Sequence, residues 1–353
     1  MSPRPHHRRS NRQPRDAGWT QPLLLLLRLL ILGAGLAVLS GTALKFMAPR
    51  LGAGTPERPP LLPQLEENGN NGLGRFEPRQ EDKALSAKLA QLAATQKDLQ
   101  VGAFALVLDD GSYGQFKPDL VLPAASAIKT PILLVALEAL DAGKLQLDEL
   151  LSLNKTVVGG GSGWMGGQPL GSQFTVLEVA TEMIRVSDNT ATNLLIQRLG
   201  GKTALNARFQ ELGLEGTVIN NWLPDLEGTN TTTARDQARS IALVETAQVL
   251  TPRSRDLFRQ TLGTSRTDTL IPRGWLQGLG GGGADVNGAL LRRGVRTYNK
   301  TGDIGIAYVD SALIELPDGR RAVASYMVTG PFNSPRSTNM IRALSGATAA
   351  AFK

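Results

Sequence analysis

Strand-like segments lie near both ends of the 353-residue chain, and most of the sequence between them has helical periodicity. Residues 101–108 and 113–116 are predicted to be two strands, because Asp109-Asp110-Gly111 between them is typical of a hairpin turn. Residues 307–316 and 322–329 form a second strand pair near the C-terminus. Two such pairs indicate one antiparallel sheet formed by both chain ends and flanked by helices, with an all-helical lobe inserted in it. This is an α+β fold.

The helices are predicted from apolar residues that recur every three or four positions. Most of them fall between the two strand pairs, and one closes the chain. The predicted helices are 83–99, 131–142, 176–185, 191–199, 203–212, 234–249, 253–262 and 337–352.

Two side chains that often carry chemistry are scarce in this sequence. The chain has no cysteine, and its two histidines are His6 and His7. Disulfides, thiolate zinc sites and a cysteine nucleophile are therefore excluded. A Ser-His-Asp triad and a zinc site of the HExxH type are excluded as well. If the chain catalyses acyl transfer, its base must be a lysine or a carboxylate, and no metal or cofactor is implied.

The positive charge of the chain is concentrated at its N-terminus. Residues 1–60 contain nine Lys or Arg and two Asp or Glu, which accounts for the whole net charge of +7. The remainder is formally neutral, so no nucleic-acid partner is expected. Residues 22–47 include an apolar run that can cross a membrane if Arg28 reaches toward the charged end. A cleaved signal peptide is the alternative, because Gly41-Thr42-Ala43 is small enough to be cut.

Charge and composition together predict the organisation of the chain. Positive charge before the apolar run indicates that the N-terminus stays in the cytoplasm and that the rest is exported. We expect a single-pass protein of the cytoplasmic membrane with a monomeric, periplasmic catalytic domain. The predicted parts are a basic cytoplasmic tail (1–21), a membrane anchor or signal segment (22–47), a flexible linker (48–81), an α/β lobe (82–125 and 296–353) and a helical lobe (126–295), the two lobes making one domain (82–353).

The first candidate for catalysis is Ser126, followed three residues later by Lys129. Residues three apart on a helix share a face, so the lysine amine can reach the serine hydroxyl. Serine is a poor nucleophile unless a neighbouring base takes its proton, and a lysine can do so once burial depresses its pKa. By itself the pattern is short, and a helix that begins with Ser126 as its cap would also produce it.

Two further triplets follow in order, namely Ser187-Asp188-Asn189 between helical stretches and Lys300-Thr301-Gly302 at the start of a strand-like segment. S-x-x-K, S-D-N and K-T-G together are the signature of class A β-lactamases and penicillin-binding proteins. The chain resembles the class A β-lactamase family over residues 82–353. Thr231-Thr232-Thr233 and Leu199-Gly200-Gly201 add to the resemblance.

The resemblance implies a role for each catalytic residue. Ser126 corresponds to the nucleophile and Lys129 to its proton acceptor. Ser187 corresponds to the hydroxyl that relays a proton to the leaving β-lactam nitrogen. The backbone amides of Ser126 and Asp303 would form the oxyanion hole, where charge develops on the attacked carbonyl.

The resemblance also implies which residues bind substrate. Asn189 corresponds to the amide that holds the carbonyl of the substrate side chain. Lys300 and Thr301 correspond to the pair that receives the substrate carboxylate, and Gly302 and Asp303 continue that strand beside the nucleophile. Asp188 is expected to be structural.

One position departs from the family pattern. Class A enzymes carry a glutamate in an E-P-E-L-N loop, where it activates the water that hydrolyses the acyl-enzyme. Here Trp222, Pro224 and Leu226 align with that loop, so Leu223 occupies the glutamate position and Glu227 the asparagine position. Leucine cannot accept a proton. Either Glu227 reaches the water from its neighbouring position, or deacylation is slow.

Three functions are therefore considered. The first is a β-lactamase-type serine hydrolase that opens β-lactam amide bonds through a Ser126 acyl-enzyme, with Glu227 as the candidate for a substitute base. The second is a D,D-peptidase-like, penicillin-binding enzyme with slow deacylation, acting on a D-alanyl peptide. The third is a sensor that binds penicillin or wall fragments without turnover.

Overall fold

The computed structural model describes residues 76–353. The predicted tail (1–21), the predicted anchor or signal segment (22–47) and the linker up to residue 75 lie outside the described residues. Within residues 76–353, no helix is long and apolar enough to span a bilayer.

The described residues form ten strands, ten α-helices and two short 3₁₀ helices. The strands are β1 (Gln80–Glu81), β2 (Gln100–Val107), β3 (Ser112–Phe116), β4 (Leu122–Pro123), β5 (Leu150–Ser152), β6 (Gln173–Thr175), β7 (Thr231–Thr232), β8 (Arg296–Asp303), β9 (Ala307–Glu315) and β10 (Arg321–Thr329). The helices are α1 (Lys83–Ala94), α2 (Lys129–Asp141), α3 (Val176–Arg185), α4 (Asn189–Arg198), α5 (Gly201–Glu211), α6 (Ala234–Glu245), α7 (Pro252–Gly263), α8 (Ile271–Gly278), α9 (Val286–Leu291) and α10 (Pro335–Phe352). The 3₁₀ helices are Ala125–Ile128 and Met165–Gly167.

The main sheet combines strands from both ends of the chain. Its order is β1-β3-β2-β10-β9-β8, and β2 from the N-terminal side pairs antiparallel with β10 from the C-terminal side. Ala103 lies opposite Tyr326 in that pairing. The α+β fold predicted from the sequence, with helices inserted between the two strand pairs, is confirmed.

Both faces of this sheet are buried. Successive side chains of a strand point to opposite faces, so Phe104 and Leu106 of β2 join one core and Ala103 and Ala105 join another. The first core contains the inserted helices α2 to α7, and the second contains α1, α8, α9 and α10. Two buried faces explain why β2 is a continuous apolar run rather than an alternating one.

The helical lobe is smaller than the predicted range 126–295. Helices α8 and α9 do not join it, because Trp275 and Val286 are buried in the second core, on the opposite face of the sheet. The ring of Trp275 lies 6.5 Å from that of Phe352 in α10. Both helices are short and flank a glycine-rich segment, so the sequence between residues 264 and 295 shows little helical periodicity from which to place them.

The ordered domain also begins earlier than the predicted linker end at residue 81. β1 (Gln80–Glu81) pairs parallel with β3, and Asp82 caps α1 by accepting a hydrogen bond from the Leu85 amide. Phe76 packs with its ring 5.8 Å from that of Phe104. A two-residue strand carries no periodicity, so the sequence could not reveal it.

Candidate active site

Ser126 lies where the helical lobe meets the sheet. It occupies the single 3₁₀ turn Ala125–Ile128 that leads directly into α2. Strand β8 runs close beside this turn, and a Cβ atom on Gly302 would come within 2.8 Å of the Ser126 backbone nitrogen. Only glycine permits this approach, which is why K-T-G ends in glycine here. Ala125, just before the nucleophile, has a positive φ of 45°, which costs free energy for a residue with a side chain.

Lys129 is fully buried and its ammonium nitrogen lies at the centre of the site. Nζ donates hydrogen bonds to Ser126 Oγ at 2.9 Å, to Ser187 Oγ at 2.9 Å and to Asn189 Oδ1 at 2.9 Å. Burial first, and then the positive charge of Lys300, hold the pKa of Lys129 well below its usual value. The geometry therefore supplies a lysine that is suited to accept the serine proton.

Ser187 and Asp188 lie in the turn between α3 and α4, and Asn189 is the first residue of α4. Ser187 has a φ of 59°, in the left-handed region. Asp188 caps α4 at the Ala191 amide, and its second oxygen accepts hydrogen bonds from the amides of Trp164 at 2.7 Å and Met165 at 2.9 Å. The buried Asp188 carboxylate therefore anchors the glycine-rich loop to α4.

The glycine-rich loop, residues 159–167, forms one wall of the cleft. Asn189 Nδ2 donates to Gly160 O at 2.8 Å, and the Asn189 amide donates to Ser162 O at 3.1 Å. The side-chain oxygen of Asn189 meanwhile accepts from Lys129. Asn189 thus joins the cleft wall to the catalytic lysine.

Lys300 and Thr301 lie on β8 across from Ser187. Lys300 Nζ donates to Ser187 Oγ at 3.0 Å and to Thr301 O at 2.7 Å. Burial lowers the pKa of Lys300 to about 8. Thr301 Oγ1 donates to Thr267 Oγ1 at 2.9 Å. The three sequence motifs, of which the first begins at Ser126 and the last 174 positions later at Lys300, therefore meet around the Ser187 hydroxyl.

Two arginines that the sequence did not single out line the same cleft. A cavity of about 330 Å³ is bounded by Arg185, Arg266, Ser187, Lys300 and Thr301, among others. Arg185 Nε donates a hydrogen bond to Glu182 Oε1 at 2.7 Å, and Arg185 Nη2 donates one to Glu182 Oε2 at 2.6 Å.

Arg185 lies two residues before Ser187, and this proximity in sequence is a signal that could have placed it in the cleft. Nothing in the sequence linked Arg266 to the triplets, because its loop reaches the site only through tertiary packing.

A buried carboxyl group, also missed by the sequence reasoning, lies behind β8. Asp310 on β9 is opposite Thr301 in the register and accepts hydrogen bonds from Asn299 Nδ2 at 3.0 Å and from the Ile271 amide at 2.8 Å. Burial raises the pKa of Asp310 to about 7. Asn299 also donates to Thr267 O at 2.9 Å, so this pair connects β8 to the loop that carries Arg266.

The loop that contains Leu223 closes the other side of the cleft. Leu223 is 5% exposed and lines a second, smaller cavity together with Ser126. Its backbone is fixed by Asn193 on α4, which accepts from the Leu223 amide at 3.0 Å and donates to the Leu223 carbonyl at 2.7 Å. Glu227 is exposed and does not line this cavity. The structure therefore does not bring Glu227 to the site, in contrast to one of the two expectations from the sequence.

Comparison with known proteins identifies the family. The model of the β-lactamase enzyme family matches residues 84–352. The chain belongs to this family. The resemblance to class A β-lactamases is thereby confirmed, and the chain is a serine hydrolase of the β-lactamase type.

Individual relatives agree with this assignment. The β-lactamase of Streptomyces cellulosae is 26% identical over 287 residues, covering 75% of this chain and 86% of that protein. A class A β-lactamase described as the last common ancestor of Gram-negative bacteria has a TM-score of 0.65 and 26% identity, covering 76% of this chain and all of that one.

The structure of PBP-A has a TM-score of 0.72 and 40% identity, covering 79% of this chain and 99% of that one. A point mutant of PBP-A, in an acyl-enzyme complex with penicillin G, has a TM-score of 0.71 and 39% identity, covering 78% of this chain and 98% of that one.

Proposed function

We propose that this β-lactamase-family protein opens the amide bond of β-lactams by forming an acyl-enzyme on Ser126. The observation that carries the proposal is the buried Lys129 amine, 2.9 Å from Ser126 Oγ and with a depressed pKa. A neutral Lys129 takes the hydroxyl proton while Oγ attacks the lactam carbonyl. The backbone amides of Ser126 and Asp303 stabilise the resulting oxyanion.

The proton then has a short path to the leaving nitrogen. Lys129 Nζ and Lys300 Nζ both contact Ser187 Oγ, at 2.9 Å and 3.0 Å. Ser187 can therefore receive a proton from Lys129 and donate its own to the lactam nitrogen as the carbon–nitrogen bond breaks. The acyl group remains on Ser126 Oγ, and the leaving amine carries the transferred proton.

The substrate would be held at both ends. Its carboxylate lies against Lys300, Thr301 and Arg266, which together line the larger cavity. Gly302 allows β8 to approach the nucleophile, and Asn189, which lines the second cavity, binds the side-chain carbonyl of the substrate. Lys300 and Arg266 are well suited to bind a carboxylate, because hydrogen bonds between a cation and a carboxylate are charge-assisted.

Deacylation is proposed to be slow. Hydrolysis of the ester needs a base beside the attacking water, and the cavity wall next to Ser126 presents Leu223. Asp225 in the same wall is already occupied, because its oxygens accept from Thr229 Oγ1 at 2.9 Å and from the Asn230 amide at 2.6 Å. Glu227 does not line the cavity.

The leucine at position 223 thus favours a second candidate function, namely a D,D-peptidase-like enzyme that acts on a D-alanyl peptide and that β-lactams inhibit.

Intact mass spectrometry with a fluorescent penicillin tests both functions. We expect a covalent adduct on the wild-type protein and none on Ser126→Ala. A transient adduct with accumulating product supports β-lactam hydrolysis, and a persistent adduct supports the peptidase or a sensor without turnover. Absence of any adduct on the wild-type protein, under conditions where it is folded, would falsify the acyl-enzyme proposal.

The location of the protein is a separate proposal, supported by the sequence. Five arginines precede residue 22, and residues 22–47 would attach the chain to the cytoplasmic membrane with its catalytic domain outside. We further propose that the domain is a monomer. Membrane fractionation of the full chain beside a chain that lacks residues 1–47 tests the attachment, and recovery of the full chain in the soluble fraction would contradict it.

A further inference from the structure

Lys and Arg side chains line only one of the two cavities beside Ser126. The larger cavity, beyond Ser187, is lined by the cations Arg185, Arg266 and Lys300. The smaller cavity, on the other side of Ser126, contains no Lys or Arg; its lining is apolar residues, the polar residues Ser126, Ser162 and Asn189, and two aspartates. Its apolar members are Ala125, Leu223, Pro224, Leu226 and Ile304.

The two cavities meet at Ser126 and Asp303, which line both of them. A substrate whose carboxylate lies at the cationic end and whose carbonyl lies at Ser126 must extend its acyl substituent into the smaller cavity. The smaller cavity is therefore the subsite for the acyl substituent, and its charge decides which substituents it accepts.

Only one of the two aspartates in this subsite is available to a ligand. Asp225 is buried, and Thr229 and Asn230 already use both of its oxygens. Asp303 is exposed, and the single hydrogen bond to its carboxylate comes from the Gly305 amide to Oδ1 at 2.7 Å. No Lys or Arg among residues 76–353 forms an ion pair with it. Asp303 thus places a carboxylate without an ion-pair partner among residues 76–353 at the junction of the two cavities.

We propose that Asp303 is a specificity-determining residue that selects acyl substituents by their charge. Resting on the acyl-enzyme function proposed above, the inference is that the protein prefers substrates with an apolar acyl group bearing an ammonium and disfavours those bearing a carboxylate. The three family motifs do not predict this preference. It depends on the side chain of Asp303, whereas the role that the family resemblance implies for Asp303 in the oxyanion hole uses only its backbone amide.

The expected size of the effect follows from Coulomb's law. Two unit charges a few ångströms apart in a partly hydrated cleft interact strongly enough to change a rate about tenfold. The acylation rate of a substrate that bears an ammonium should rise by this factor, and that of a substrate that bears a carboxylate should fall by it. The ratio of the two rates should therefore change more than either rate alone. Asp303 also lines the cavity that receives the substrate carboxylate, but its effect there is the same for substrates that differ only in the acyl substituent.

Three penicillins that differ only at the α-carbon of the acyl group provide the test. Ampicillin carries an ammonium there, benzylpenicillin a hydrogen and carbenicillin a carboxylate. The second-order rate of adduct formation is measured for each by intact mass at about pH 6.5, where an α-ammonium is charged. The readout is the ratio of the ampicillin rate to the carbenicillin rate, which cancels any loss that a variant imposes on all substrates.

Asp303→Asn keeps the acceptor for the Gly305 amide and removes the charge, and Asp303→Ser serves as a second variant should the first not fold. Glu227→Gln is the matched control, because it removes an equal charge from an exposed residue outside the cavity. We expect the ratio to fall at least about tenfold in Asp303→Asn and to change less than about twofold in Glu227→Gln.

An unchanged ratio in both Asp303 variants, or an equal fall in Glu227→Gln, would overturn the inference while leaving the acyl-enzyme function intact. If wild-type protein forms no adduct even with benzylpenicillin, the proposed function fails and this inference fails with it.

Discussion

Two buried ammonium groups share one hydroxyl in this site. Lys129 and Lys300 both donate to Ser187 Oγ, and both have pKa values depressed chiefly by burial. For Lys129 the positive charge of Lys300 lowers the pKa further. The site therefore favours a neutral Lys129 that acts as base beside a charged Lys300 that binds the substrate carboxylate.

This division predicts a pH limit for acylation. The pKa of Lys300 is lowered to about 8, so the lysine loses its charge as the pH rises through that value. We expect the rate of adduct formation with benzylpenicillin to decline above about pH 8. Lys300→Arg keeps its charge at all accessible pH values, so the decline should disappear in that variant even if its overall rate is lower. The test is to measure the acylation rate across this pH range on both proteins. A decline that persists in Lys300→Arg would show that deprotonation of Lys300 is not its cause.

The buried Asp310 carboxyl predicts a pH effect on stability. Its pKa is raised to about 7 in the folded protein from an ordinary value of 3.8. Between these values the folded state holds a proton that the unfolded state has released, so stability is present at low pH and is lost as the pH rises toward 7. Asp310→Asn removes this ionisation.

We expect Asp310→Asn to gain at least about 1 kcal/mol of unfolding free energy relative to wild type between about pH 5 and about pH 8. Urea unfolding at the two pH values measures the difference, with the exposed Asp256→Asn as control. Equal pH dependence in wild type and Asp310→Asn would show that the carboxyl is already ionised in the fold.

The sequence predicted those site residues that lie in short local patterns. Ser126 and Lys129 are three residues apart, and Ser187 and Lys300 each belong to a triplet. Arg266 and Asp310 could not be predicted in this way, since contacts between distant segments bring them to the site. Glu227, the candidate for a substitute base, does not line the cavity beside Ser126, because an adjacent sequence position does not place a side chain in the same cavity.

At the scale of elements, the loop from Trp222 to Asn230 forms the cavity wall beside Ser126 through Leu223, Pro224, Asp225 and Leu226. Asn193 on α4 fixes the Leu223 backbone through two hydrogen bonds. The direction of the Leu223 side chain is therefore set by the loop and not by the residue type. A carboxylate introduced at this position should face the cavity beside Ser126.

Leu223→Glu is expected to shorten the lifetime of the penicillin adduct by about 100-fold, since a positioned general base contributes roughly 10²–10⁴-fold. The acylation rate should fall modestly, because a new negative charge raises the pKa of Lys129. Decay of the adduct is followed by intact mass after excess penicillin is removed. Leu170→Glu is the matched control, because the native leucine is 54% exposed and lines neither cavity. An unaltered lifetime in Leu223→Glu would mean that another step limits deacylation.

Secondary structure was predictable where an element has a periodic pattern of its own. The helix predicted over 176–185 is observed with those bounds as α3, and the strand predicted over 307–316 is β9, which ends one residue earlier. The short helices α8 and α9 were missed because each offers about two turns of pattern. α8 lies on the outer face of the sheet in contact with α10, and α9 lies there in contact with α8. Local sequence does not encode these contacts.

At the scale of the whole molecule, the site depends on a sheet that both chain ends complete. The strand that carries Lys300 pairs with β9, and β9 pairs with β10, which joins the N-terminal strand β2. The second core covers the face of this sheet opposite the helical lobe, and α8 packs on α10 there. Gly274 and Gly278 of α8 face Gly346 and Arg342 of α10 at backbone contact.

Gly278→Ala tests this remote support. A Cβ atom at residue 278 would overlap the carbonyl oxygen of Gly346, so the two helices must separate. Overpacking of this kind costs about 1–3 kcal/mol, and we expect a loss of that size in urea unfolding. Gly282→Ala is the matched control, since a Cβ there meets no atom within 4 Å. The folded fraction of Gly278→Ala should still form the Ser126 adduct at the wild-type rate, because both helices lie on the face of the sheet opposite the helical lobe. A variant that is as stable as wild type would show that the two helices can separate freely, and a slower adduct in fully folded protein would show that the second core also sets the geometry of Lys300.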